Sequence, residues 1–227
     1  MKASELSLMI FAAGFGTRMG ELTDNTPKPM LPLSGQPMIN HAVDLAHEAG
    51  IGTIVANTHF QSKKIEPHLE RLGVAYCREE PDILDTGGGL RAARQRLASP
   101  TFTMNPDAAW LGANPLIELS DAWQDHMQAL LLLIPSDRAR GREGPGDFKI
   151  KGGRLLRGGP LVYSGAQIIR TEALEKFPAK AFSLNDYWDR LCAAGSLYGA
   201  TYSGHWCDIG TPQGLTLAEQ MLELGRV

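Results

Sequence analysis

The sequence has too little cysteine for a covalent framework. Its three thiols, Cys77, Cys192 and Cys207, stand far apart in 227 residues and form no C-x-x-C pair. That excludes a disulfide scaffold and a structural zinc site, and it fits a reducing, cytoplasmic setting. No apolar run approaches the roughly 18 residues that span a bilayer. The short run after Lys2 ends in glycines, where a signal peptide would carry a cleavage site. No membrane partner is expected. Charge of one sign is also lacking: the formal net charge is -3. A nucleic-acid-binding domain would show a basic footprint, so no nucleic-acid partner is expected. An anionic ligand can still bind through local cations and backbone N–H groups. There is no G-x-x-x-x-G-K-[ST] and no G-x-S-x-G, which removes a P-loop and a serine-hydrolase elbow. The six histidines lack metal-ligand spacing, and His205 beside Trp206 reads as a packed residue.

What is present supports a folded core, with 43% apolar and 21% charged residues. Short apolar runs bounded by turn residues predict strands at 7–13, 53–57, 74–77, 101–105, 129–135, 161–169 and 197–206, and a hairpin at 148–156 turning on Gly152 and Gly153. Helical spacing predicts helices at 38–49, 62–72, 88–97, 116–128, 184–194 and 213–224. Residues 14–35 read as a long functional loop. Strands alternating with helices define an α/β class: a doubly wound, mostly parallel, Rossmann-like sheet flanked by helices. A single domain over 1–227 is expected, doubly wound over about 1–135 and adding strands around the site over about 136–227.

The loop after the first strand carries the strongest chemical signal. Phe11-Ala12-Ala13-Gly14-Phe15-Gly16-Thr17-Arg18-Met19 offers small residues that let backbone approach a ligand, N–H groups that cradle phosphate, and a guanidinium fork. The third glycine of a dinucleotide fingerprint is missing, because Met19 occupies its place. Ten residues past Arg18, Thr26-Pro27-Lys28-Pro29-Met30-Leu31-Pro32 holds a lysine in a proline-stiffened segment, a cation aimed at a reacting phosphate.

These two motifs together resemble the sugar-1-phosphate nucleotidyltransferases. Gly35-Gln36-Pro37-Met38-Ile39, Leu84-Asp85-Thr86-Gly87-Gly88-Gly89, Gly146-Asp147-Phe148, Tyr163-Ser164-Gly165, Ala181-Phe182-Ser183-Leu184 and His205-Trp206-Cys207-Asp208-Ile209-Gly210-Thr211 extend the resemblance to a short bacterial branch. That branch contains the N-acetylmuramate α-1-phosphate uridylyltransferases of cell-wall recycling. The resemblance implies a glycosyltransferase-A-like nucleotidyltransferase fold and Mg²⁺ as cofactor. The implied substrates are a nucleoside triphosphate, with UTP the best match, and a sugar 1-phosphate. It implies metal ligation by Asp107 and Asp208, which spacing alone would give as turn residues. It further implies catalytic roles for Arg18, Lys28, Asp107 and Asp208. Nucleotide contacts fall on Ala12, Ala13, Gly14, Gly16, Thr17, Arg18, Lys28, Thr86, Gly87, Gly88 and Asn105, and sugar contacts on Asp147, Gly165 and Asn185. A monomer or homodimer is expected.

The sequence departs from the family where Pro106 replaces the usual glycine before the first metal aspartate, and no E-K-P motif is present. Lys149, Arg154 and Arg157 are the cations that could replace its lysine, while Arg138, Arg140 and Arg142 read as a solvated cluster. Guanylyl, thymidylyl or cytidylyl transfer onto another sugar or alcohol phosphate is an alternative within the class. Two others lie outside it: a non-catalytic nucleotide or sugar-phosphate sensor, and an NAD-dependent dehydrogenase. Asn57, at the end of the second strand where the latter needs an acid, counts against the dehydrogenase.

Overall fold

The computed structural model describes residues 2–225. The strands are β1 (Ser7–Phe11), β2 (Pro32–Leu33), β3 (Gln36–Pro37), β4 (Thr53–Thr58), β5 (Ala75–Arg78), β6 (Thr101–Met104), β7 (Ala108–Leu111), β8 (Ala129–Pro135), β9 (Ala139–Arg140), β10 (Phe148–Lys151), β11 (Arg154–Arg157), β12 (Leu161–Ile169), β13 (Leu197–Thr201) and β14 (His205–Asp208). The helices are α1 (Met38–Glu48), α2 (Ser62–Arg71), α3 (Asp85–Ala93), α4 (Pro115–Ala122), α5 (Leu184–Ala193) and α6 (Pro212–Leu224). None is long and apolar enough to cross a membrane, among the described residues.

Nine strands form the main sheet in the order β10-β11-β13-β8-β12-β6-β1-β4-β5. Strand β12 is antiparallel to β6 and β8, and β11 is antiparallel to β10 and β13. The remaining seven run one way, so the sheet is doubly wound and mostly parallel. From β1 the chain builds outward through β4 and β5, then returns to place β6 on the other side of β1. That reversal opens a crevice beyond the carboxyl ends of β1 and β6, the usual binding position of such sheets.

Both faces of the sheet are covered, which is why its strands read as unbroken apolar runs. Leu8 and Ile10 of β1 face a core built with α1, α2 and α4, while Met9 faces one built with α3 and α5. In β8 the run from Ala129 to Ile134 is buried throughout, each Leu contributing about 1.5–3 kcal/mol of transfer energy. A small second sheet, β7-β14-β9, packs with α6 in a third core containing Met19, Leu31 and Ile209.

Several expected boundaries shift. Residues 197–206 are two strands in different sheets, because the chain turns at 202–204, where Tyr202 is anchored by donating to the Ala113 carbonyl at 2.7 Å. The 116–128 helix ends at Ala122, where Trp123 adopts an extended conformation. The 88–97 helix starts earlier, at Asp85, which itself has a left-handed φ of 60°. The 14–35 loop contains two 3-10 helices, Thr17–Thr23 and Lys28–Met30.

Candidate active site

The crevice has two lobes. The first, about 310 Å³, is floored by Ala12, Ala13, Gly14, Gly16 and Thr17 and walled by Lys28, Thr86 and Asn57. The second, about 760 Å³, lies among β7, β12, β14 and the start of α6, and is lined by Tyr163, Ser164, Gly165, Trp206 and Asp208. Arg18, Asn105 and Asp107 line both lobes and mark their junction.

Gly16 sets the loop. Its φ of 68° favours glycine, and a Cβ there would lie 2.9 Å from Cβ of Lys28. A larger residue would therefore push the lysine segment away from the phosphate cradle. The Thr23 hydroxyl donates to the Gly16 carbonyl at 3.1 Å and ties the first 3-10 helix back onto the loop. Pro27 is extended, and Met30 N–H donates to its carbonyl, so Lys28 enters from a rigid turn. The Lys28 ammonium is buried and donates to the Asp107 carboxylate.

Asp107 leaves β6 just before β7, and Asp208 ends β14. The two strands are antiparallel, with Ala108 opposite Asp208, and the Ile209 N–H donates to the Asp107 carbonyl at 2.9 Å. Pro106 therefore leaves the two carboxylates convergent. Burial, and then the charge of Asp107, push Asp208 above the usual aspartate range; Lys28, Arg18 and Arg142 act the other way. A Cβ on Gly210 would lie 2.7 Å from both Arg18 Nη1 and Asp208 Oδ2, so the absence of a side chain there lets those two groups flank one point. Two repelling carboxylates suit a hard divalent cation, which takes oxygen ligands. No cluster of three or more His, Cys, Asp or Glu occurs among the described residues. Mg²⁺ would therefore need substrate phosphates and water to complete its shell. Cys207 is no nucleophile candidate: burial, then Asp208, push its thiol up to about 11.

A buried network fixes the first lobe. Asn57 accepts from Ala12 N–H and donates to Glu79, both at 2.7 Å, and Glu79 also accepts from Leu84 N–H at 2.6 Å. The ends of β1, β4 and β5 and the entry to α3 thus share one polar knot. Neither was expected at the site: Asn57 is notable in sequence only as the non-acidic end of the second strand, and nothing there marks Glu79. Ile83 and Asp85, beside Thr86, also line this lobe.

The structure brings together Ala12, Ala13, Gly14, Gly16, Thr17, Arg18, Lys28, Thr86, Asn105, Asp107, Gly165 and Asp208 around the crevice. Four expected contacts are not among the residues lining either lobe. Gly87 and Gly88 are buried and donate their N–H groups to the Phe182 carbonyl, at 2.9 and 3.2 Å. A Cβ on Gly87 would lie 2.3 Å from the Phe182 ring, so the missing side chain lets α3 pack against residues 180–182. Asp147 accepts from Arg142 at 2.6 Å and from Tyr163 N–H at 2.8 Å, which places Arg142, not Asp147, on the second lobe. Asn185 accepts from Arg157, whose guanidinium lies over Phe148 and Trp188, away from both lobes. Gly165 contributes by backbone: its carbonyl accepts from Asn105 N–H at 2.9 Å across the junction.

A phosphate cradle beside paired acidic oxygen donors, at the switch point of this sheet, places the protein among the nucleotidyltransferases. Residues 8–187 match the model of the MobA-like NTP transferase domain, and the chain belongs to that family. It is 33% identical to the N-acetylmuramate alpha-1-phosphate uridylyltransferase of Caulobacter vibrioides, over 94% of this chain and 96% of that protein. A protein of the same name from Neisseria meningitidis is 28% identical, over 91% of this chain and 94% of its own length. HddC from Yersinia pseudotuberculosis, solved with GMP-PN, superposes with a TM-score of 0.78 at 19% identity, covering 96% of this chain and 99% of its own, and shares the fold.

Proposed function

We propose that the protein transfers UMP from UTP onto N-acetylmuramate α-1-phosphate, releasing pyrophosphate. The observation that carries the reaction type is the meeting of Arg18, Lys28 and Asp107 where the two lobes join, with Asp208 beside them. The full-length similarity to two uridylyltransferases supports the choice of substrates.

UTP occupies the first lobe, its phosphates against the Gly14–Arg18 backbone. The sugar occupies the second, with its 1-phosphate at the junction. A phosphate oxygen of the sugar attacks the α-phosphorus in line, one P–O bond forms, and the bond to the bridging oxygen of the leaving pyrophosphate breaks. The nucleophile is already anionic, so no protein base is needed. Catalysis then rests on positioning and charge neutralisation. Lys28 neutralises charge on the α-phosphate and holds Asp107 in place, and Arg18 faces the leaving pyrophosphate. Bound Mg²⁺, held by Asp107 and Asp208, would supply Lewis-acid neutralisation of phosphate oxygens.

A coupled pyrophosphate-release assay tests this with four nucleoside triphosphates against a panel of sugar 1-phosphates. Highest kcat/KM is expected for UTP with N-acetylmuramate α-1-phosphate. Preference for another base, or for an acceptor such as mannose 1-phosphate, would replace the substrate assignment and leave the reaction class standing.

A further inference from the structure

Arg142 comes from an arginine-rich segment that reads in sequence as solvated surface, yet it lines the second lobe. Its neighbours in that segment behave differently. Arg138 donates to the Ser203 and Gly204 carbonyls and acts as a latch. Arg142 is aimed by a fixed partner. Asp147 accepts from Arg142 Nη2 with one oxygen and from Tyr163 N–H with the other, while its own N–H and carbonyl bond to Leu161 and Gly158. Asp147 therefore cannot swing, and it holds the guanidinium on the lobe wall with its side chain 34% exposed.

The charge layout gives that guanidinium a purpose. An acceptor phosphate has to lie at the junction to reach the α-phosphorus, and Arg18 and Lys28 meet charge there. Arg142 lines the second lobe and not the first, alongside Glu143 and Asp208. Its position therefore faces the body of the sugar. A neutral hexose offers no anion to pair with it there. Leu217, 42% exposed, lines the same lobe and gives a small apolar group something to pack on.

Resting on the substrate class proposed above, we infer that Arg142 is a specificity residue that pairs with a carboxylate on the acceptor sugar and so selects acidic hexose 1-phosphates over neutral ones. Arg142 Nη2 stays on Asp147 while the other nitrogens of the guanidinium meet the carboxylate, an arrangement Lys cannot reproduce in full.

Calorimetric titration of the purified protein with N-acetylmuramate α-1-phosphate and with N-acetylglucosamine α-1-phosphate tests this. The two sugars carry the same phosphate and differ by the carboxylate-bearing ether. Wild type is expected to bind the acidic sugar more tightly. A charge-assisted hydrogen bond of this kind corresponds to roughly 10- to 100-fold in affinity. In Arg142→Met the ratio of the two affinities falls toward one, and Arg142→Lys recovers part of it. Equal affinity of wild type for both sugars overturns the inference. So does an equal loss for both in Arg142→Met, which would make Arg142 a phosphate ligand. A lowered Tm in Arg142→Met and Asp147→Asn with the wild-type affinity ratio would make the pair purely structural and also overturns it. Failure of UTP turnover with the acidic preference intact would sink the uridylyl reading alone.

Discussion

Replacing Lys28 by Met removes one cation and keeps most of the side-chain volume. Two effects follow, and they separate. The first is on stability. Lys28 is 8% exposed and Asp107 loses its ion-pair partner. Breaking a fully buried pair costs about 3–5 kcal/mol. The Asp107 side chain is 23% exposed, so water offsets part of the loss, leaving on the order of 1–2 kcal/mol. For a chain of this size that lowers Tm by roughly 2–8 °C. The second effect is on turnover. Loss of one preorganised charge costs about 10²–10³ in kcat. Asp107→Asn should lose turnover by a similar factor, and because it strands the more buried Lys28 ammonium its Tm should fall as well. In the double variant both charges are gone, so Tm recovers toward wild type. Turnover stays no worse than in the poorer single variant, because the two act as a unit. Pyrophosphate release at saturating substrates and thermal unfolding read the two effects separately. A wild-type kcat in Lys28→Met would refute the reasoning, whatever happened to Tm.

Other perturbations probe the scaffold. Asn57→Ala strands the Ala12 N–H and a Glu79 oxygen in a buried site; at about 1–3 kcal/mol each the loss is about 2–6 kcal/mol, read by urea unfolding. A stability change under 1 kcal/mol would show that the knot does not hold β1 to β4. Gly87→Ala places a methyl 2.3 Å from the Phe182 ring and 2.9 Å from its carbonyl, an overpacking of about 1–3 kcal/mol; it should lower Tm while leaving KM for UTP unchanged, and a selective rise in KM would instead return Gly87 to the nucleotide site. Asp208→Asn, without metal, should stabilise the fold at neutral pH. The native pKa of Asp208 lies above its unfolded value, so the ionised form is penalised in the native state. That penalty develops as pH rises from the ordinary aspartate range through the native pKa and disappears in acid, where both states are protonated. Denaturant titrations at several pH values should therefore show the variant's advantage fading on acidification; a pH-independent advantage would contradict this origin.

The sheet and the phosphate loop were legible because both rest on local signals. Alternating runs and helical spacing mark the βαβ units, and Gly14, Gly16 and Lys28 stand in compact motifs. Asp107 and Asp208 are a different case. Nothing in the 100 intervening positions pairs them, and only the family pattern did so before β7 and β14 were seen side by side. Gly87 and Gly88 pack against Phe182, and the sequence cannot separate that from ligand contact. A glycine that permits close approach looks alike in sequence whether the neighbour is a ligand or the Phe182 carbonyl. Asn57 and Glu79 escaped because a buried polar pair 22 residues apart has no periodicity. Arg142 stands among other arginines, and nothing in the sequence marks its pairing with Asp147.

The short ladder between β7 and β14 has a thermodynamic consequence. It holds Asp107 and Asp208 side by side, and β14 packs against α6. On the proposed cation site, metal binding and the packing of β14 against α6 form one linked equilibrium, and each tightens the other by the same factor.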